Sequence, residues 1–371
     1  MVQTKTRSKE ITILINRLNS GGAEKVCVVL CNELVKRGYN VAIWIVQYEN
    51  TSLASKLDKK VQITSLNKER VSHCFITLTS LFLKNKPKVI LIFNTELSLM
   101  VILLKFFLLN KPLIIMRNIN TLSMELNAPV NYWKKHIVYP LIKNLIKRSD
   151  IIVAQSEGMK MDLIEHYNIL EKKIKTIPNP AVVLGNQFSD RVVINKKNEL
   201  VFIGRLVEQK GLNLLLEAIS IAVKSVEDLH LTIVGEGPQL ESLQKIATDL
   251  NITKFISFVG FQANVNSFII EAKATVLTSY YEGFPNVLVE SIALGTPVIS
   301  FDCPSGPKDI IEPGVNGVLV PYLNVELFAQ AIIDVLKGQY KFDEKRVVLS
   351  SERFSLDAIV DKYEQLFYEL N

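Results

Sequence analysis

Chemistry-bearing residues concentrate in a few short segments. Tyr281-Glu282-Gly283-Phe284-Pro285-Asn286-Val287-Leu288-Val289-Glu290 holds two carboxylates eight residues apart around a helix start. Pro285 suits an early helical position. The backbone N–H groups of Gly283, Phe284, Asn286 and Val287 would then open toward a ligand, and Glu290 would lie about two turns along the helix. Carboxylates placed this way accept hydrogen bonds from hydroxyls, as on a sugar or ribose. An outward, salt-bridged Glu290 fits the pattern equally well. Gly204-Arg205-Leu206-Val207-Glu208-Gln209-Lys210-Gly211 places two cations in one turn after an apolar run. Converging on a pyrophosphate, each would contribute about 1.5–3 kcal/mol per charge-assisted bond; solvated surface cations are the plainer reading. Gly21-Gly22 opens a helical pattern, so the backbone there could approach an anion closely, although a merely tight turn accounts for it as well.

Several alternatives are excluded by spacing. No G-x-x-x-x-G-K-[ST] segment is present, so a P-loop is absent. Gly235-Glu236-Gly237-Pro238-Gln239-Leu240 begins like a dinucleotide fingerprint but has Leu240 where the third glycine belongs, which points to a capped turn. Cys27, Cys31, Cys74 and Cys303 lack partners at zinc-site spacing and read as buried reduced thiols. No D-x-D occurs, so no metal is expected and the cations would carry the diphosphate alone.

Continuous apolar runs at Ile11–Ile15, Val41–Val46, Val89–Phe93, Leu113–Met116 and Ile151–Val153 alternate with helical periodicity. The rhythm restarts at Leu200–Ile203, Leu231–Val234, Ile256–Val259, Ala274–Leu277, Pro297–Ser300 and Gly317–Val320. Continuous rather than alternating strands indicate α/β architecture with parallel sheets covered on both faces. Ile177-Pro178-Asn179-Pro180 suits an extended connection. The expected domains are 1–180, 181–350 and a helical segment 351–371 that crosses back to the first. Ligands of two doubly wound domains sit at the carboxyl ends of the strands.

At 371 residues, with 48% apolar and 22% charged residues, the chain is an ordinary globular one. Lys and Arg exceed Asp and Glu by more than ten over residues 1–180, whereas 181–371 is net acidic. A change of sign midway argues against nucleic acid as partner. Val89–Leu109 is interrupted by Asn94, Glu96 and Lys105, which argues against a membrane span; no signal peptide is read at the start, and a cytoplasmic location is expected. Lys134, Lys135, Lys143, Lys147 and Arg148, beside Tyr132, Trp133 and Tyr139, make 132–148 a candidate contact for an anionic membrane surface, with Lys84, Lys86 and Lys88 as a second cluster. A solvated helix face is the competing reading.

Together these segments resemble the family-4 retaining glycosyltransferases of the GT-B fold, two Rossmann-like doubly wound domains facing across a cleft. The matching pieces are Gly21-Gly22-Ala23-Glu24, Gly204-Arg205-Leu206 with Lys210-Gly211, Gly235-Glu236-Gly237-Pro238, the pair Glu282 and Glu290, Gly295-Thr296-Pro297, Asp302-Cys303-Pro304-Ser305-Gly306-Pro307 and Gly314-Val315-Asn316-Gly317. The resemblance implies an N-terminal acceptor domain and a C-terminal nucleotide-sugar domain. It implies that Arg205 and Lys210 hold the donor pyrophosphate, with Glu282, Gly283 and Phe284 on the sugar and Glu290 on the ribose. Gly260 and Phe261 would flank the base, and Gly21 and Gly22 would approach the phosphates. A histidine common in that family after the fourth long strand is replaced here by Arg117-Asn118, which become the acceptor-side candidates. The implied reaction is transfer of a hexose or N-acetylhexosamine from a UDP-sugar, with retention, to a saccharide or lipid-linked saccharide in surface-polysaccharide synthesis. A nucleotide-sugar epimerase and a non-catalytic nucleotide-sugar-binding protein are the other classes compatible with the scaffold.

Overall fold

The computed structural model describes residues 9–19, 21–117, 121–126, 136, 139–182 and 197–370. Asn118, and Tyr132, Trp133, Lys134 and Lys135 of the basic stretch 132–148, lie outside the described residues. The chain divides into two compact units, Met1–Asn179 with Leu356–Asn371, and Pro180–Ser355.

The first unit is built on a seven-stranded sheet. Its strands are β1 (Glu10–Ile15), β2 (Asn40–Ile45), β3 (Gln62–Ser65), β4 (Val89–Ile92), β5 (Leu113–Arg117), β6 (Ile151–Ala154) and β7 (Ile174–Thr176). They lie in the order β3-β2-β1-β4-β5-β6-β7, every pair parallel. The connecting helices are α1 (Gly22–Lys36), α2 (Phe75–Asn85), α3 (Thr95–Lys105), α4 (Leu122–Leu126), α5 (Tyr139–Ile146) and α6 (Glu157–Tyr167). β4 and β6 are buried along their whole length, as their uninterrupted apolar sequences require. β3 and β7 escape the apolar-run criterion because both are edges. Gln62 and Ile63 are exposed, and β7 has only three residues. The strand order reverses between β1 and β4, the arrangement that opens a ligand crevice beyond the carboxyl ends of strands.

The second unit repeats the plan with six parallel strands. These are β8 (Glu199–Ile203), β9 (His230–Val234), β10 (Ile256–Gly260), β11 (Ala274–Leu277), β12 (Val298–Phe301) and β13 (Gly317–Val320), in the order β10-β9-β8-β11-β12-β13. Its helices are α7 (Leu212–Ala222), α8 (Leu240–Asp249), α9 (Asn266–Glu271), α10 (Asn286–Ala293), α11 (Pro307–Ile310), α12 (Val325–Leu336) and α13 (Glu344–Ser350). One apolar core joins α7, α10 and α12 to the sheet through Leu216, Leu288, Phe301 and Phe328. The order reverses between β8 and β11, which places the second crevice at the turns that follow those two strands.

The last helix, α14 (Leu356–Leu370), packs on α1 of the first unit. Ile359, Val360, Tyr363, Leu366 and Phe367 form its buried stripe, and the Phe367 ring meets Tyr39 edge-on at 6.0 Å. Arg37, the C-cap of α1, gathers three carboxylates of α14. Its Nη2 is 3.0 Å from Asp357 Oδ1, and its Nη1 reaches Glu364 Oε2 at 2.7 Å and also pairs with Asp361. The Tyr39 hydroxyl is pushed up to about 12 by burial and then by the Glu364 charge. Lys175 on β7 ties the far end through Glu369 at 2.6 Å.

Because Asp357 and Asp361 are largely exposed, the network is worth a surface figure. Arg37→Ala is expected to cost about 1 kcal/mol, with a smaller difference at high salt. Denaturant unfolding of both proteins at two salt concentrations measures it.

Candidate active site

In the second unit the turns that leave β8, β9, β10, β11 and β12 all emerge at one end of the sheet. Lys210 lies in the turn after β8, and Glu282 in the turn after β11. The Lys210 Nζ sits 2.6 Å from Glu282 Oε1, with side chains 15% and 6% exposed. Ser279 Oγ donates to the same oxygen at 2.6 Å. Polar groups this buried need hydrogen-bonded partners, so the pair and the hydroxyl form one preset cluster.

Backbone contacts fix the two turns against each other. The Tyr280 N–H donates to Gln209 O at 2.8 Å, and Gln209 Nε2 donates to Tyr281 O at 3.0 Å. Thr278 Oγ1 donates to Gly211 O at 3.0 Å. Gly211 has φ +58°, and a Cβ there would stand 2.2 Å from Thr278 O. Only glycine lets the Lys210 turn dock this closely.

Arg205 leaves the same turn toward solvent. Its backbone is braced from the β9 side: the Leu206 N–H donates to Glu236 O at 2.9 Å, and the Gln239 N–H donates to Leu206 O at 3.1 Å. Gly235 has φ +143°, and a Cβ on it would lie 1.9 Å from Gly204 O. The Gly235-Glu236-Gly237-Pro238 segment therefore buttresses the Arg205 turn, a more definite role than capping. Gly260 ends β10 with φ +70° and accepts from the Gly235 N–H at 2.8 Å. Phe261 follows it, half exposed, its N–H on Glu236 Oε1 at 3.3 Å.

Gly283, Phe284 and Pro285 are buried, while Asn286 and Val287 are half-buried at the start of α10. Two expectations need correction. Pro285 is the N-cap rather than a helical residue, and no side chain caps the helix. Glu290 consequently lies little more than one turn into α10, not two, because the chain stays irregular through the Glu282 turn. The Phe284 ring faces the interior, 5.6 Å from Phe354 and edge-on to it.

The turn after β12 closes the other side. The Glu282 N–H donates to Pro304 O at 3.1 Å, and a Cβ on Gly306 would meet Pro285 Cδ at 2.5 Å. Cys303 is buried; burial first and the Glu282 charge second push its thiol well above the ordinary range, with Lys210 opposing. It remains a neutral thiol beside the ion pair. Tyr322, just past β13, donates its hydroxyl to Tyr280 O at 2.8 Å. Sequence reasoning missed Thr278, Ser279 and Tyr322 as supports, and it named Gln209, Glu236 and Cys303 only within their segments, without this role. A hydroxyl three residues before Glu282, at a strand end, was the available signal for Ser279.

In the first unit Gly22 begins α1 behind Gly21, without a side-chain cap. A Cβ on Gly21 would collide with the Glu24 carboxylate at 2.2 Å. Arg117 is not a surface group. It ends β5 at 1% exposure, stacks on the Phe93 ring at 4.5 Å and donates from Nη2 to Asn179 Oδ1. It ties the sheet to the connection at Asn179. Among the described residues no group of three or more His, Cys, Asp or Glu is clustered as a metal site would need. No helix among them is long and apolar enough to cross a membrane.

Two doubly wound parallel-sheet units are the architecture of the GT-B fold. Residues 20–182 match the Glycosyltransferase Family 4 model and residues 186–353 the model for Glycosyl transferases group 1. The chain belongs to this glycosyltransferase family. A relative in Campylobacter jejuni is 28% identical over 84% of this chain and 84% of its own; it is the GalNAc-alpha-(1->4)-GalNAc-alpha-(1->3)-diNAcBac-PP-undecaprenol alpha-1,4-N-acetyl-D-galactosaminyltransferase. An uncharacterised glycosyltransferase of Methanocaldococcus jannaschii is 30% identical over 62% of this chain, and the match spans 59% of that relative's length. The crystal structure of Anabaena HepE in complex with UDP-glucose superposes with a TM-score of 0.78 at 17% identity, over 97% of this chain and 99% of that one.

Gly235→Ala tests the buttress. The Cβ collision and the strained φ predict a loss of about 1–3 kcal/mol, read as a lower unfolding midpoint. An unchanged midpoint would show that the Arg205 turn does not depend on this close approach.

Proposed function

We propose that this chain is a retaining glycosyltransferase that moves a hexose or N-acetylhexosamine from a UDP-sugar to a lipid-linked saccharide during surface-polysaccharide assembly, working from the cytoplasmic face of the membrane. The observation that carries the reading is the buried Lys210–Glu282 pair, 2.6 Å apart, at the carboxyl end of the second unit's sheet. The donor and acceptor classes draw support from the activity of the Campylobacter relative and from the UDP-glucose complex of the Anabaena protein.

The roles follow from the side chains. Lys210 and Arg205 are assigned to the donor diphosphate. Their charges would stabilise the phosphate oxygen as the bond to the sugar's anomeric carbon breaks, and no metal is needed for that balance. Glu282 is assigned to hydroxyls of the donor sugar and Glu290 to those of the ribose. Gly283, Phe284, Pro285, Asn286 and Val287 shape the sugar's pocket, and Gly260 with Phe261 flank the uracil. Gly21 and Gly22 are assigned to the phosphates by family resemblance alone. The acceptor oxygen attacks the face from which the diphosphate departs, its proton passes to the leaving phosphate, and the α configuration is kept. No side chain serves as nucleophile.

Lys210→Ala and Glu282→Ala are each expected to lower transfer by about two orders of magnitude or more, the scale of losing one transition-state contact. The assay is release of UDP coupled to product formation. Near-normal transfer by Lys210→Ala would remove the assignment. Activity is expected to survive exhaustive EDTA treatment; full loss, restored by a divalent cation, would overturn the metal-free reading. A thermal-shift screen against nucleotide sugars identifies the donor, because ligand bound to the native state alone raises the midpoint.

A further inference from the structure

The first unit carries an exposed apolar surface that the proposed chemistry does not use. α2 runs into β4 through Lys86, Pro87 and Lys88, and α3 runs into β5 through Phe106–Pro112. β4 and β5 are parallel neighbours, so both turns open at the amino edge of the sheet, opposite the crevice end. The Leu113 N–H donates to Lys88 O at 2.8 Å and holds the two turns together. The turn from α5 into β6 adjoins them: the Arg148 guanidinium lies over the Phe106 ring at 5.0 Å.

Here the fold leaves large apolar side chains in water. Leu109 is 97% exposed and Phe107 76%, with Phe106 and Leu83 more than half exposed beside them. Soluble surfaces seldom gather such residues without an occupant. Exposed Lys84, Lys86, Lys88 and Lys111 surround them. Residues 71–150 hold eleven Lys and Arg but only three carboxylates. One of the three, Asp150, is already taken by Lys105 at 2.5 Å.

We infer that the amino edge of this sheet docks on an anionic phospholipid surface, with Phe107 and Leu109 entering the acyl boundary and the lysines meeting the headgroups. The charge selects this occupant. A second copy would bring a patch of the same sign against it, which like-charge repulsion opposes. The surface takes in the second cluster picked out by sequence, Lys84, Lys86 and Lys88, rather than the stretch 132–148, of whose described residues Arg148 meets it. The inference does not rest on the proposed reaction, since vesicle binding is read without donor or acceptor.

The test is co-sedimentation of the full chain with phosphatidylcholine vesicles, with and without phosphatidylglycerol, at low and high NaCl. Binding is expected only with phosphatidylglycerol and is expected to weaken with salt. Phe107→Glu with Leu109→Glu should weaken it about tenfold or more, and Lys84→Glu with Lys86→Glu should do the same. The unfolding midpoint in solution should stay unchanged in both double variants, which shows that they fold. Absence of wild-type binding overturns the inference, as does full binding by the Phe107/Leu109 variant. Loss only on Lys134→Glu with Lys135→Glu places the contact elsewhere and also overturns it. So does a wild-type dimer that the Phe107/Leu109 variant dissolves, because a second copy would then be the occupant.

Discussion

A lysine and a glutamate buried together at the ends of β8 and β11 set the terms for the second unit. Breaking such a pair on one side leaves a buried charge uncompensated and typically costs about 3–5 kcal/mol. Replacing both by apolar residues is often neutral, so the pair is a poor device for stability alone. As a site it has a clear use. The Lys210 cation is already stripped of most of its water and held by Glu282, while Ser279 holds Glu282 in turn. On the proposed reading, an arriving diphosphate would meet a charge whose desolvation has been met during folding.

The surrounding turns serve that constraint. Gly211 lets the Lys210 turn lie against Thr278, and Gly235 lets the β9 turn lie against Gly204. Gly306 brings the β12 turn onto Pro285. The turns after β8, β9, β11 and β12 thus pack closely at these glycines, where side chains would force them apart. The buried Cys303 thiol, within electrostatic reach of Glu282, stays neutral and adds no competing charge.

How much of this was legible in the sequence depended on whether a signal was local. Interior strands such as β4 and β6 declare themselves, because a strand covered on both faces must be apolar throughout. β3 and β7 do not, since an edge strand meets the requirement with Gln62 or Lys175 in solvent. Lys210 and Glu282 were named by residue type and by resemblance, but their contact across 72 residues of chain is a tertiary fact. Pro285 misled the placement of Glu290, because a proline suits the N-cap as well as the first turn of a helix. Resemblance set Arg117 at the position of the family's histidine, but that its side chain turns inward onto Phe93 and Asn179 is a tertiary fact. The charge asymmetry was visible from composition, whereas its meeting with Phe107 and Leu109 at one sheet edge required the topology.

The central claim is that the Lys210–Glu282 cluster receives the donor. A crystal structure of the full chain with a bound UDP-sugar tests it most directly. The account predicts diphosphate oxygens within hydrogen-bond reach of Lys210 Nζ and the Arg205 guanidinium, with a sugar hydroxyl on Glu282. A diphosphate bound elsewhere, with Lys210 still closed on Glu282 and no ligand atom near either, would contradict it.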